Sequence, residues 1–315
     1  MKKLIVVCGP TTTGKTDLAL QLAKKFGGEL ISADSRQVYV GMDIGTGKFS
    51  FGDEFRKFHG CWLLNDVWIY GYDLVRPDEQ FTVAGFVDFF GKTSTKIWQK
   101  GKLPILVGGT GFYIKSVLDG IDALGIRPDW QLRGELEGLT PEQLQEKLRS
   151  LDLKKWEMMN KSDRKNSRRL IRAIEIASSK RAKAKNEKTI SHKRLMINAL
   201  IIGLRAPRNF LYKKTDLWVQ ERLEKGLIKE VEGLIKKGYK DRMPMQGIIY
   251  KSVVSFIDGK SNIKELEEKL KSQMHDYSRR QTTWFKKDKK IIWFDITKKN
   301  WKQEVEEKVR TWLNK

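Results

Sequence analysis

Three features of the sequence predict an α/β fold, a parallel sheet core with an inserted all-helical domain. Short apolar runs alternate with amphipathic helical patterns over residues 1–120, the arrangement of βαβ units. Glycine-rich segments follow two of those runs directly. From about Pro128 to Lys193 the chain turns charged and helical before an apolar strand returns at Leu195–Leu204.

The elements follow in order. Leu4–Cys8 is a buried strand and enters Gly9-Pro10-Thr11-Thr12-Thr13-Gly14-Lys15-Thr16, a G-x-x-x-x-G-K-[ST] phosphate-binding loop in its strand–loop–helix context. The helix runs from Lys15 to Phe26, with Leu18, Ala19, Leu22, Ala23 and Phe26 spaced along one buried face, and Gly27-Gly28 stops it. Glu29–Ala33 is the second strand and Leu103–Val107 the third; a helix resumes at Phe112–Leu118. Thr140-Pro141-Glu142-Gln143 starts a helix. Lys180–Lys193 is basic and weakly periodic and reads as a mobile loop. After Leu195–Leu204 come helical segments at about 208–237, 244–257 and 262–287, a strand at Ile291–Phe294 and a last helix over 300–313. The stripe Leu217, Val219, Leu223, Leu227 and Val231 reads as core.

The loop chemistry points to a diphosphate or polyphosphate. Gly9 and Gly14 let the backbone turn tightly and approach an anion, and successive N–H groups of the loop point inward with the helix N-terminus behind them. Lys15 adds a mobile cation, and the Thr16 hydroxyl is a candidate Mg²⁺ ligand. Residues just beyond strand ends line the crevice of such a sheet. Asp34 follows the second strand and faces the same cleft, or else forms a turn or caps a helix. Gly108-Gly109-Thr110-Gly111 follows the third strand, where two glycines ahead of a hydroxyl suggest close backbone approach to ligand; Thr110 would otherwise cap the next helix.

Charge divides the chain. Lys and Arg number 62 against 39 Asp and Glu, a net +23. Residues 1–125 hold 15 basic and 13 acidic side chains, and residues 126–315 hold 47 and 26. A near-neutral half with a strongly basic half suits a small-molecule pocket joined to a nucleic-acid surface; a generally lysine-rich surface would not by itself concentrate the excess. Two cysteines, Cys8 and Cys61, make no disulfide framework, and with three histidines there is no zinc-site spacing. No apolar run approaches the length of a membrane span, and the first strand starts almost at once, so a reduced, cytoplasmic protein without a signal peptide is expected.

The phosphate loop, Ser32-Ala33-Asp34-Ser35-Arg36-Gln37-Val38-Tyr39, Gly41-Met42-Asp43-Ile44-Gly45-Thr46, Gly108–Ile114, Arg168-Arg169-Leu170-Ile171-Arg172-Ala173-Ile174-Glu175 and Ser278–Phe285 occur in the order found in one family. The chain resembles the bacterial tRNA dimethylallyltransferases, or tRNA isopentenyltransferases, over nearly its whole length. The resemblance implies a P-loop NTPase-like core of residues 1–122 and 195–315, with a helical domain of residues 123–194 inserted into it. It further implies transfer of a dimethylallyl group from dimethylallyl diphosphate to N6 of the adenosine 3′ of the anticodon, position 37, in tRNA. Mg²⁺ is the implied cofactor, the tRNA anticodon stem-loop the implied partner, and a monomer the expected state.

That reaction needs a proton acceptor near a poorly nucleophilic amine and stabilisation of a departing diphosphate. Asp34 is the candidate base. The loop, Lys15 and Mg²⁺ at Thr16 would hold the diphosphate, and Thr110 would bond the adenine or fix Asp34. By resemblance, Asp34, Ser35, Arg36, Gln37, Thr110, Arg133, Arg168, Arg169, Leu170, Ile171 and Arg172 fall at tRNA-contact positions, although single arginines there also read as solvated helix charge. Arg208 and Lys251 are expected to reach the diphosphate. The adenine must leave its stack to enter an enclosed pocket.

The chain departs from the family pattern at several points. The paired histidines before Asp73 read Ile69-Tyr70, with extra residues around His59–Trp68. Asn-Asp-Pro before the arginine cluster reads Arg164-Lys165-Asn166, and Ala-Ile-Gly-Tyr reads Gly247-Ile248-Ile249-Tyr250. Arg-Ile-x-x-Arg-Val reads Lys214-Thr215-Asp216-Leu217-Trp218-Val219. Two other readings share the loop: a P-loop kinase of a small metabolite, which leaves the Asp34–Tyr39 block and the basic half without a role, and an isopentenyltransferase of free adenine nucleotide, which leaves the insertion without one. A non-catalytic RNA-binding protein would not need the phosphate loop.

Overall fold

Alternate residues of β1 (Lys2–Cys8) pack into opposite hydrophobic layers: Ile5 and Val7 into one, Leu4, Val6 and Cys8 into the other. A strand buried on both faces must lie inside a parallel sheet covered by helices. The computed structural model describes residues 1–120, 126, 128–183 and 197–315. The chain divides into two compact units, Met1–Asp119 with Leu195–Lys315, and Gly120–Arg194.

In the first unit β1 leads to α1 (Lys15–Phe26), then β2 (Gly28–Ser32), β3 (Phe55–Phe58), β4 (Cys61–Leu64), β5 (Val67–Tyr70), α2 (Val83–Gln99), β6 (Leu103–Gly108) and α3 (Gly111–Leu118). Helix α1 has the expected bounds, and Gly27 caps it in the left-handed region at φ 65°. Leu18 and Leu22 are fully buried against the sheet, each contributing about 1.5–3 kcal/mol. Helices α2 and α3 cover the opposite face through Phe86, Phe90 and Tyr113.

In the second unit α4 (Trp130–Glu137), α5 (Pro141–Leu151), α6 (Leu153–Met158), α7 (Lys161–Arg164) and α8 (Ser167–Lys183) pack around Leu136, Leu144, Leu148, Trp156, Leu170 and Ile174. Thr140 and Gln143 form a capping box at the start of α5. Helix α8 continues through Lys183, so the first residues of the stretch expected as a loop are helical, and residues 184–193 lie outside the described residues.

The first unit resumes with β7 (Ile197–Arg205), α9 (Arg208–Glu224), α10 (Leu227–Lys236), a short 3₁₀ turn at Met243–Gln246, α11 (Ile248–Ile257), α12 (Ile263–Phe285), β8 (Ile292–Asp295) and α13 (Trp301–Leu313). The segment read as one helix over 208–237 is broken by Gly226 at φ 105°. Helix α13 joins α1 on one face of the sheet through Val305 and Val309.

The sheet order is β3-β4-β5-β2-β6-β1-β7-β8. Its six strands from β5 to β8 are parallel, while β3 and β4 pair antiparallel at one edge, so the sheet is mixed rather than wholly parallel. Asn65 and Asp66, at φ 46° and 63°, form the two-residue turn between β4 and β5, a geometry that keeps hairpin strands in twist. The residues around His59–Trp68 thus form β4, its turn and the start of β5.

Candidate active site

A cleft of about 920 Å³ in the first unit opens at the carboxyl ends of β1, β2 and β6, where ligands bind in open α/β sheets. The phosphate loop forms one wall. Gly9 takes φ 141° with its α-carbon against β7; a Cβ there would stand 2.5 Å from the Leu204 carbonyl oxygen. Pro10 offers its carbonyl to the Thr13 hydroxyl at 2.8 Å and to Lys15 Nζ at 2.7 Å. Thr12 sits in the left-handed region at φ 62°, its hydroxyl bonded to the Thr11 carbonyl and 3.1 Å from that of the buried Thr215 on α9. Gly14 has φ 75°, and Thr16 faces the cleft at the start of α1.

Asp34 stands across from Lys15. Its Oδ1 accepts the Arg36 N–H at 2.8 Å, so the turn-forming reading of Asp34 holds alongside its place on the cleft. Burial raises its pKa, against the Arg36 N–H and the Lys15 charge, which lower it. Burial likewise brings Lys15 down to about 8, with Asp34 pulling it back up. A carboxylate biased toward accepting a proton thus shares a site with a cation placed for an anion.

Thr110 occupies the N-cap position of α3 without capping it. Its hydroxyl accepts the Ser35 N–H at 3.1 Å, and its own N–H donates to the Ala33 carbonyl at 3.1 Å. It therefore fixes the backbone beside Asp34. Gly108 and Gly109 before it border the cleft and also admit close neighbours within the protein. A Cβ at Gly108 would overlap the Ala33 backbone, and one at Gly109 the Gln281 amide.

The remaining candidates separate. Ser35 and Arg36 line the cleft, with an Arg36 Nη donating to the Pro244 carbonyl at 3.3 Å. Gln37 also borders it but is buried, and its amide bonds the Ser32 hydroxyl (2.7 Å) and the Thr46 and Gly47 carbonyls (3.1 and 3.2 Å), so this side chain organises the cleft wall. Arg208 and Lys251 are exposed and outside the cleft lining; Lys214 and Arg222 are the α9 cations that line it. Leu217, read as core, is 66 % exposed on the cleft wall, whereas Val219, Leu227 and Val231 are core and Leu223 is half-buried.

Within the second unit, Leu170 and Ile171 are core, which corrects their reading as RNA contacts: helix periodicity turns them inward while Arg168 and Arg169 face solvent. Arg169 pairs with Asp163. Arg133 forks onto the buried Glu175 at 2.7 and 2.9 Å, and Arg172 donates to Glu175 at 3.1 Å and to the Ile126 carbonyl at 2.8 Å. Burial pushes the Glu175 carboxyl up, but these arginines and the Asp129 N–H outweigh it and hold its pKa below the usual value.

Two supports escaped the sequence reading. Gln281 on α12 accepts the Thr11 N–H at 2.8 Å and donates to the Gly109 carbonyl at 3.0 Å, tying the phosphate loop to the end of β6. Glu230 on α10 takes the N–H groups of Asp43, Ile44 and Gly45 at 2.9, 2.6 and 3.1 Å and the Tyr250 hydroxyl at 2.8 Å, holding the loop beyond Gly41. Gln281 lay inside a recognised block, but nothing local marked Glu230. Among the described residues there is no cluster of three or more His, Cys, Asp or Glu able to hold a metal; the Thr16 hydroxyl and the Asp17 and Asp34 carboxylates are oxygen donors on the cleft lining.

The IPP transferase profile matches residues 37–288. A tRNA dimethylallyltransferase of Acetivibrio thermocellus is 38 % identical over 301 residues, covering 94 % of this chain and 92 % of its own length. The chain belongs to the IPP transferase family. Another member, a tRNA dimethylallyltransferase of Bacillus cereus, is 35 % identical over 94 % of this chain and 90 % of its own. Solved IPP transferases share the fold. The tRNA isopentenylpyrophosphate transferase of Staphylococcus epidermidis superposes with a TM-score of 0.69 at 32 % identity, covering 100 % of this chain and 99 % of its own. That of Bacillus halodurans gives 0.66 at 33 %, over 94 % and 90 %. These matches bear out the fold expected of a P-loop NTPase-like core. No helix among the described residues is long and apolar enough to cross a membrane.

Proposed function

We propose that the chain transfers a dimethylallyl group from dimethylallyl diphosphate to N6 of the adenosine 3′ of the anticodon in tRNA, giving N6-isopentenyladenosine. The observation that carries this reading is the pairing of a phosphate loop and a proton-accepting carboxylate, Lys15 and Asp34, in one cleft. Family membership supports the group transferred, and the names of the relatives support tRNA as the acceptor.

In the reaction N6 forms a bond to C1 of the allyl group as the C1–oxygen bond breaks, and the electron pair leaves with diphosphate. The loop N–H groups and Lys15 take up that charge, and the helix N-terminus of α1 favours it. Asp34 accepts the proton that N6 loses, and Thr110 keeps the Asp34–Ser35 backbone in register by its bond to the Ser35 N–H. Mg²⁺ fits the donor set, since it takes a hydroxyl such as that of Thr16 together with phosphate oxygens and water, and it would neutralise diphosphate charge when bound. The basic excess of residues 126–315 supports an extended phosphate-backbone contact.

Acceptor competition tests this reading. With dimethylallyl diphosphate and Mg²⁺, unmodified tRNA is prenylated and AMP is not, and γ-labelled ATP transfers no phosphate to small acceptors. Prenylation of AMP in preference to tRNA, or phosphoryl transfer, contradicts it.

A further inference from the structure

Leu217, in the middle of α9, is left 66 % exposed. Among the described residues it is the one strongly exposed large apolar side chain on the wall of the cleft. Core packing does not account for a leucine there, since the buried positions of the helix are Leu211, Thr215, Val219 and Arg222. Water does not favour it either.

Trp218 extends this apolar surface. It lines the cleft and is half-buried. The buried Arg222 guanidinium lies 4.4 Å from its ring centre and donates to the Phe49 carbonyl at 3.2 Å. Gly47 also touches the ring, for a Cβ there would stand 3.4 Å from Cζ2. The indole is thus set in place by the protein itself, which lowers the entropy cost of binding against it.

The place of the pair along α9 says what it meets. Thr215 reaches the phosphate loop, its hydroxyl 3.1 Å from that of Thr12. Leu217 and Trp218 follow two and three residues on, roughly 3 and 4.5 Å along the axis. On the same wall Lys214 stands on the loop side of them, and Glu221 and Glu224 on the far side. Polarity therefore runs from a cation beside the loop, through an apolar pair, to carboxylates. Such a wall suits a ligand with an anionic head and a hydrocarbon tail. A polyanion laid along it would meet Glu221 and Glu224.

We propose that Leu217 and Trp218 are specificity-determining residues that receive the hydrocarbon tail of the donor, so that the cleft prefers an allylic diphosphate to diphosphate alone. This rests on the reading of the cleft as a diphosphate site.

Calorimetric titration with Mg²⁺, using dimethylallyl diphosphate and inorganic diphosphate in turn, tests it on wild type, Leu217→Ala, Leu217→Gln and Trp218→Ala. Leu217 is exposed enough to be replaced without disturbing the core, and circular dichroism checks that Trp218→Ala folds. The variants are expected to bind dimethylallyl diphosphate roughly fivefold or more weakly, to bind inorganic diphosphate within about twofold of wild type, and to leave KM for tRNA unchanged. Equal weakening of both ligands, unchanged affinity for dimethylallyl diphosphate in a folded variant, or a rise in KM for tRNA alone overturns the assignment; the last result would turn this wall toward RNA. If Trp218→Ala does not fold, the two Leu217 variants decide. Wild type binding the two ligands equally well also overturns it, and wild type binding neither overturns the reading of the cleft instead.

Discussion

The Thr110 hydroxyl accepts the Ser35 N–H at 3.1 Å, binding the end of β6 to the residue that follows Asp34. A side chain at a helix N-cap would ordinarily bond its own helix; this one holds the neighbouring loop. Thr110→Ala is expected to lower kcat about tenfold, with little change in diphosphate affinity, because it frees the backbone that aims Asp34 and removes roughly 1 kcal/mol of hydrogen bonding. Thr110→Ser restores most of the loss. Steady-state kinetics on the three proteins check this, and a serine variant as slow as alanine would show that the hydroxyl is not the active feature.

Asp34 has a raised pKa through burial, and the sign has two consequences. As the base it must be ionised, so kcat/KM falls with acidification at a pH above the ordinary carboxylate value of 3.8. A raised carboxyl pKa also means that the folded state binds the proton more tightly than the unfolded one, so stability declines as pH rises through that window. Asp34→Asn is expected to lose about 10²-fold or more in turnover while melting higher than wild type at neutral pH, with the difference vanishing in acid. Melting curves across pH measure it.

Gln281 gives its amide to two loops at once. Gln281→Ala leaves the Thr11 N–H and the Gly109 carbonyl without their partner, a cost of about 2 kcal/mol, and diphosphate affinity is expected to drop about tenfold as the phosphate loop loses its set conformation. Gln281→Glu keeps an acceptor for Thr11 but turns a carboxylate oxygen against the Gly109 carbonyl and adds negative charge beside the loop, so it should not restore that affinity. Thermal melts and diphosphate titration separate the two effects.

Glu175 anchors the second unit. Its pKa is depressed, so its pairing stabilises the fold above the unfolded value near 4.5, and that stability is lost as pH falls through the folded value. Glu175→Ala removes the carboxylate that Arg133 and Arg172 share, and because both arginines are partly solvated it is expected to destabilise the protein by about 1–3 kcal/mol. Urea titration at pH 7 and in acid checks it, with the mutant showing the weaker acid dependence.

Much of this was legible because it is local. The run from Leu4 to Phe26 carries its strand, loop, helix face and glycine stop in consecutive residues, and the structure reproduces them. Asp34 and Thr110 were found by position beyond strand ends. Gln281 and Glu230 were not, since their partners lie 270 and up to 187 residues away and no spacing announces them. The β4–β5 hairpin has a local signal in Asn65-Asp66 between two short apolar runs, whereas the pairing of β3 with β4 has none as plain. Gly108 and Gly109 showed that a backbone approaches closely but not that it approaches Ala33 and Gln281. Leu217 fitted a helical stripe whose face ends at the cleft.

The most direct test combines dimethylallyl diphosphate, Mg²⁺ and undermodified tRNA with wild type or Asp34→Ala, followed by nucleoside mass spectrometry and a parallel tRNA-binding assay. The expected result is N6-isopentenyladenosine at the adenosine beside the anticodon, formed about 10²-fold or more slowly by the mutant with tRNA affinity nearly unchanged. No prenylated adenosine from wild type, or equal turnover by Asp34→Ala, would contradict the account.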